Sequence, residues 1–129
     1  MPGGEGVKRY RSIWVPLGLA LAVAAGVQAI GSVSRAGLGK QVAALARPGD
    51  IQMLASITCV YCAQARAWFN ANGVPFSECM IENDARCAAT YAALMAPGTP
   101  VLVVRGQRLI GFDAQAVADA LGRRAAETR

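Results

Sequence analysis

From Ser12 to Ser34 no residue carries a charge, and Ile13 to Val33 is apolar at almost every position. A helix rises about 1.5 Å per residue, so this run matches a hydrocarbon layer of roughly 30 Å and predicts one transmembrane helix over 13–33. Trp14 suits a membrane interface, Gly26 and Gly31 are tolerated in lipid, and Pro16 is expected in the first turn, where no amide donor is missed. The competing reading is a cleaved signal peptide, with Lys8, Arg9 and Arg11 leading a shorter apolar centre and Val27-Gln28-Ala29 as the cleavage site. Either reading exports the remainder of the chain. Residues 1–12 form a basic tail. Residues 34–50 form a linker in which Leu38, Val42 and Leu45 fall at helical spacing, predicting a short amphipathic helix between Gly39 and Arg47 before Pro48-Gly49-Asp50 turns the chain.

The pattern changes at residue 51. Ile51 to Ser56 reads as a buried strand, and Thr58 opens a helical pattern through Cys62, Ala65, Trp68 and Phe69 that Asn72-Gly73 ends. Val74 to Ile81 has period two and reads as a second strand. Glu82, Asn83 and Asp84 start a helix with a stripe of Cys87, Tyr91 and Leu94, which Pro97-Gly98 stops. Pro100–Arg105 and Gln107–Gly111 are β-type runs, with Gly106-Gln107 expected as a two-residue hairpin turn. Asp113 is placed to cap a last helix that buries Val117, Ala120 and Leu121. The predicted fold class is α/β: a β-α-β-α-β-β-α mixed sheet over 51–125 with helices on its faces, preceded by one transmembrane helix and followed by a tail at 126–129.

Composition narrows the chemistry. The 129 residues carry 13 Lys plus Arg and 8 Asp plus Glu, and are 54% hydrophobic, which excludes a disordered chain. Six of the basic side chains and one acid precede residue 50; the remainder holds seven of each. The surplus flanks the apolar run and leaves the later domain balanced, so no nucleic-acid partner is expected. Arg35, Lys40 and Arg47 equal the three basic residues before the run, which ties the loop-charge count. The amino terminus is placed inside because a short basic leader before an apolar run resembles an export signal. The expected location is a single-pass membrane protein with its domain facing the periplasm or cell exterior, the alternatives being secretion after cleavage or a cytoplasm-facing domain. The absence of histidine excludes His-based zinc sites and Ser-His or Cys-His nucleophile pairs from this chain alone.

Four cysteines remain. Cys59-Val60-Tyr61-Cys62 lies where a strand hands over to a helix. Backbone amides at a helix start favour negative charge, so Cys59 is expected to titrate below the free-thiol value of about 8.5. Cys62 follows almost one turn later on the same face. Cys59 is thus the candidate nucleophile toward an external disulfide and Cys62 the thiol that resolves the mixed disulfide. Thr99-Pro100 precedes the third predicted strand, where a proline either holds a cis bond beside the dithiol or simply begins the strand. Cys79 and Cys87 are close enough in the predicted layout to form a disulfide, worth about 2.6 kcal/mol on the loop-entropy estimate, or else are two buried free thiols. A zinc or iron-sulfur site using all four sulfurs is the weaker alternative, because the gaps of two, sixteen and seven residues do not make two close pairs.

Cys59-Val60-Tyr61-Cys62, Gly98-Thr99-Pro100-Val101 and Ile110-Gly111-Phe112-Asp113 together resemble the glutaredoxin branch of the thioredoxin-fold family, over about residues 51–122. The resemblance implies thiol-disulfide exchange through Cys59 and Cys62, a substrate groove at Thr99 and Pro100, and a glutathione site bordered by Tyr61, Gly111 and Asp113. Val60 stands where the family usually carries proline, Ser56 and Ile57 where a glutathione-binding lysine is often found, and Ile110 where the first of two glycines is usual. The reductant is left open between glutathione and a flavoprotein. Arg66, on the motif's helix, is either a contact for a carboxylate or part of a solvated face, and Glu78, Glu82 and Asp84 read as ordinary strand-end and helix-start acids. The expected activity is a membrane-anchored thiol-disulfide oxidoreductase acting on protein or small-molecule disulfides, with no resident cofactor or metal. The alternative is a non-catalytic membrane subunit or binding module whose disulfides are structural.

Overall fold

The computed structural model describes residues 5–127, with side chains described over 14–27 and 35–123. The chain divides into two compact units, residues 1–36 and 37–129. Helix α1 spans Glu5–Leu45. Pro16 lies inside it instead of in its first turn, because the helix begins earlier than the apolar run does. Among the described residues no helix is long and apolar enough to cross a membrane. Within the expected span, side chains are described over 14–27. The side chains of Ile13 and of 28–33, with those of the basic tail 1–12 and the tail 126–129, lie outside the described residues. Trp14 to Val27 are all exposed.

The second unit includes the end of α1, which the sequence assigned to a linker. Val42 is fully buried and Ala46 nearly so, with Leu38 and Leu45 packed against them. This stripe is apolar because it belongs to the domain core. Gly39 belongs to the same contact: a Cβ there would lie 1.9 Å from Oδ1 of Asn72, so a larger side chain would displace Asn72.

The remaining elements are β1 (Ile51–Ala55), α2 (Val60–Ala71), β2 (Ser77–Met80), α3 (Ala85–Ala93), β3 (Val101–Val104), β4 (Gln107–Ile110) and α4 (Ala114–Glu127). They form one four-stranded sheet in the order β2-β1-β3-β4. Strands β1 and β2 are parallel, joined through α2, and β3 is antiparallel to both β1 and β4. Alternation along the strands divides the core. Ile51, Met53, Ala55, Leu102 and Val104 face Cys62, Ala65 and Phe69 of α2 and Val117, Ala120 and Leu121 of α4. Leu54 and Val101 face the other way, toward Cys87. Strand β2 is shorter than the period-two run predicted, because it lies at the sheet edge and pairs only from Ser77 to Met80.

The β3–β4 turn is shifted by one residue from its expected place. Val104 pairs with Gln107, so the central residues are Arg105 and Gly106, with φ of 47° and 84°. Two positive φ values make this the tight turn whose twist matches a hairpin. The Arg105 backbone N–H donates to the Asp50 carbonyl at 2.8 Å. Its guanidinium donates to the Leu121 carbonyl at 2.6 Å, the Leu45 carbonyl at 3.1 Å and the Asp50 carboxylate at 2.9 Å. One cation therefore joins the end of α1, the body of α4 and the start of β1. Its hydrogen bond also holds the Asp50 carboxyl below the ordinary carboxylate range.

Because Asp50 has a depressed pKa in the folded state, its contribution is present above the unfolded value of about 3.9 and is lost as pH falls through the lower folded value. Arg105→Ala is expected to cost about 2 kcal/mol at neutral pH, since three acceptors lose a charged donor. It should also flatten the loss of stability below pH 4. Urea unfolding of the wild-type and variant chains between pH 3 and 7 measures both effects.

Candidate active site

The reactive region begins where β1 stops. Ala55 is buried, and Ser56, Ile57 and Thr58 turn the chain outward before α2 starts. Cys59 is the N-cap of α2, in an extended conformation, and its sulfur accepts the Cys62 backbone N–H at 3.1 Å. The Cys59 N–H in turn donates to the Ser56 carbonyl at 3.2 Å. A donor fixed on the sulfur at a helix start favours the thiolate over the thiol.

Cys59 and Cys62 are bonded to each other as a disulfide, with Cα atoms 5.2 Å apart. The two sulfurs have different surroundings. Cys62 is fully buried on the face shared with Ala65 and Phe69, whereas Cys59 is only partly buried. Val60 and Tyr61, between them, are 67% and 68% exposed, and Ile57 is 65% exposed. Cys59 is thus the sulfur nearer the surface, framed by an apolar collar, while Cys62 lies within the core.

Beside the motif is a groove of about 270 Å³ lined by Tyr61, Gln64, Thr99, Pro100, Gly111 and Phe112. The Thr99-Pro100 peptide bond is cis. Gly111 closes the groove's other side with φ +76°, a conformation L side chains rarely adopt, and its N–H donates to the Pro100 carbonyl at 2.9 Å. Phe112 packs at a tilt against Trp68 and edge-on against Phe69, with ring centroids 5.3 Å away from each. Trp68, expected in the core, is half-buried and supports this aromatic wall.

Residues 51–109 match the glutaredoxin family model. The domain has a thioredoxin-like fold. A point variant of the thioredoxin-like protein BC3987 superposes with a TM-score of 0.52 at 21% identity, covering 57% of this chain and 96% of its own. The glutaredoxin of Archaeoglobus fulgidus has a TM-score of 0.47 at 15% identity, covering 56% and 85%. Methanoredoxin of Methanosarcina acetivorans has a TM-score of 0.46 at 19% identity, covering 56% and 83%. No curated protein matches the chain.

The domain brings together most of the residues singled out in its sequence. Tyr61, Thr99, Pro100 and Gly111 line one groove beside Cys59 and Cys62. Asp113 does not line it: its Oδ1 accepts the Gln115 and Ala116 N–H groups at 2.8 and 3.2 Å and caps α4. Arg66 does not face it either, since Nε and Nη2 form a two-pronged pair with Glu78, the former at 2.7 Å to Oε2, tying α2 to β2. Gln64 and Phe112 were missed. Nothing in the helical pattern distinguishes Gln64 from other exposed positions, but an aromatic residue directly after Gly111 was a usable signal.

Glu82 also has a larger role than its position suggested. Its Oε1 accepts the Ser56 hydroxyl, and its two oxygens approach the Ile57 N–H at 3.4 and 3.3 Å. The hydroxyl bond chiefly holds the Glu82 carboxyl below its ordinary range. This clasp joins the loop after β2 to the turn that carries Cys59.

Cys79 and Cys87 form a second disulfide, with Cα atoms 6.0 Å apart, linking β2 to α3. It packs with Leu54 and Val101, whereas Cys59 and Cys62 belong to the core on the other face of the sheet. The four sulfurs are thus two separate bridges, not one cluster. Among the described residues no group of three or more His, Cys, Asp or Glu side chains is arranged to hold a metal ion.

Proposed function

We propose that this protein is a thiol-disulfide oxidoreductase in which Cys59 attacks and Cys62 resolves. The observation that carries the reading is the asymmetry of the pair: a partly exposed sulfur at the N-cap of α2 and a fully buried one a turn later. In the reducing direction, the Cys59 thiolate attacks a substrate disulfide, forms a mixed disulfide and expels the first substrate thiolate. Cys62, deprotonated, then attacks the Cys59 sulfur, expels the second thiolate and restores the Cys59–Cys62 bond. Two electrons pass to the substrate, and the two protons of the dithiol end on the released thiols or in solvent. Tyr61, Thr99, Pro100 and Gly111 border the place where the substrate chain lies beside the motif.

The substrates are protein or small-molecule disulfides, and the regenerating donor is a low-molecular-weight thiol or a flavoprotein. The domain is held at a membrane by the apolar run of α1 and faces the periplasm or cell exterior. A helix apolar on every side needs either a protein core or lipid to cover it, and Trp14 to Val27 are exposed. The facing assignment also accounts for two disulfides in one small domain, since such bonds persist in oxidising compartments.

The reduction potential of the Cys59–Cys62 couple tests the catalytic reading, with the Cys79–Cys87 bond assigned separately by mass mapping. A value above about −300 mV is expected; structural bridges lie below it. Location is tested by protease protection. In intact spheroplasts the domain is expected to be cut from outside, and cutting only after lysis would overturn the outward assignment.

A further inference from the structure

The Glu82 clasp places a carboxylate on the turn that leads into Cys59. Glu82 binds Ser56 and the Ile57 amide, and the Ser56 carbonyl holds the Cys59 amide, so the anion is one residue's contacts away from the attacking sulfur. Among the described residues Glu82 forms no ion pair, and the residues lining the groove, Tyr61, Gln64, Thr99, Pro100, Gly111 and Phe112, are all uncharged. The cation of α2, Arg66, is held by Glu78. Asp113 adds a second carboxylate directly after Phe112, and its charge faces the amides of α4. The remaining surface around the motif is apolar, formed by Ile57, Val60 and Tyr61.

We propose that Glu82 is a specificity-determining residue that selects disulfides flanked by neutral or cationic groups and disfavours anionic ones, so that glutathione disulfide is a poor substrate and a polypeptide disulfide next to a lysine or arginine a good one. This rests on the redox reading of Cys59 and Cys62. Like charges repel and opposite charges attract over the Debye length, about 8 to 10 Å near physiological salt, and this changes encounter rates more than the chemistry of exchange. Each step is the exchange already written, with the two electrons coming from the reduced Cys59–Cys62 dithiol.

The test uses the full chain in detergent, reduced beforehand and freed of reductant, in single-turnover oxidation by three probes: cystamine, hydroxyethyl disulfide and glutathione disulfide. Each rate is divided by that of the same probe with dithiothreitol, which removes intrinsic reactivity. At low salt the normalised cystamine rate is expected to exceed that of glutathione disulfide about tenfold or more, the neutral probe falling between them. One molar salt should bring the three together. Glu82→Gln should lower the cystamine-to-glutathione ratio about fivefold, and Glu82→Lys should lower it further. A wild-type ratio near one at low salt, or one favouring glutathione disulfide, overturns the proposal. So does a Glu82→Gln ratio equal to that of the wild type. Failure of the redox reading is distinct: hydroxyethyl disulfide would then react no faster with the wild type than with Cys59→Ser. The salt dependence of the unmodified chain keeps the test decisive if the Glu82 variants do not fold.

Discussion

Cys62→Ser is expected to accumulate a stable mixed disulfide through Cys59, while Cys59→Ser yields neither adducts nor exchange. The difference arises from burial. An incoming disulfide reaches the partly exposed Cys59 at the start of α2, but has no path to Cys62, which is fully enclosed by the α2 core face. With Cys62 absent, the bond formed by Cys59 has no internal thiol to break it, because the other two sulfurs are joined to each other across the opposite face of the sheet. Exchange in both variants should fall to the level of a chain lacking the motif, yet only Cys62→Ser should carry adducts. Non-reducing gels of membranes followed by mass mapping check this. Adducts on Cys62 in Cys59→Ser, at the same yield, would reverse the assigned roles.

The second large effect concerns Cys79 and Cys87. Replacing both with alanine should lower stability by about 2.6 kcal/mol, since the closed loop is short and its restraint acts mainly on the unfolded chain. Burial adds to this, because Cys87 is almost fully enclosed beside Leu54 and Val101, and alanine leaves part of that volume unfilled. The expected readout is a lower urea midpoint, with exchange through Cys59 retained at temperatures where the variant is folded. A variant as stable as the wild type would show that neither the bridge nor its packing stabilises the domain. A folded variant without exchange would show that the two bridges are coupled through the sheet.

These expectations draw unequally on sequence and structure. The strand and helix order from Ile51 onward was legible because the hydrophobic period changes from two to 3.6 at each junction and because Asn72-Gly73, Pro97-Gly98 and Asp113 punctuate it. Cys59 and Cys62 were legible because a helix start supplies the amides a thiolate needs, whatever surrounds it. The turn at Arg105-Gly106 was misplaced by one residue: the local sequence offered two adjacent glycine-containing pairs, and the choice was set by the pairing of Val104 with Gln107 and by the three acceptors waiting for the Arg105 side chain.

The order of amino acids alone specified a mixed α/β domain with a Cys-x-x-Cys pair at a helix start, an apolar run before it, and a second cysteine pair close enough to bridge. Which residues share a surface was settled by packing in three dimensions. Packing drew Tyr61, Gln64, Thr99, Gly111 and Phe112 into one groove, took Arg66 and Asp113 out of it, set Glu82 against the turn before Cys59, and made the end of α1 part of the core. The reason is physical. Periodicity and helix-end chemistry act between neighbours within a few residues, whereas a groove or a clasp depends on contacts between segments that only the packing of the sheet and its helices brings together.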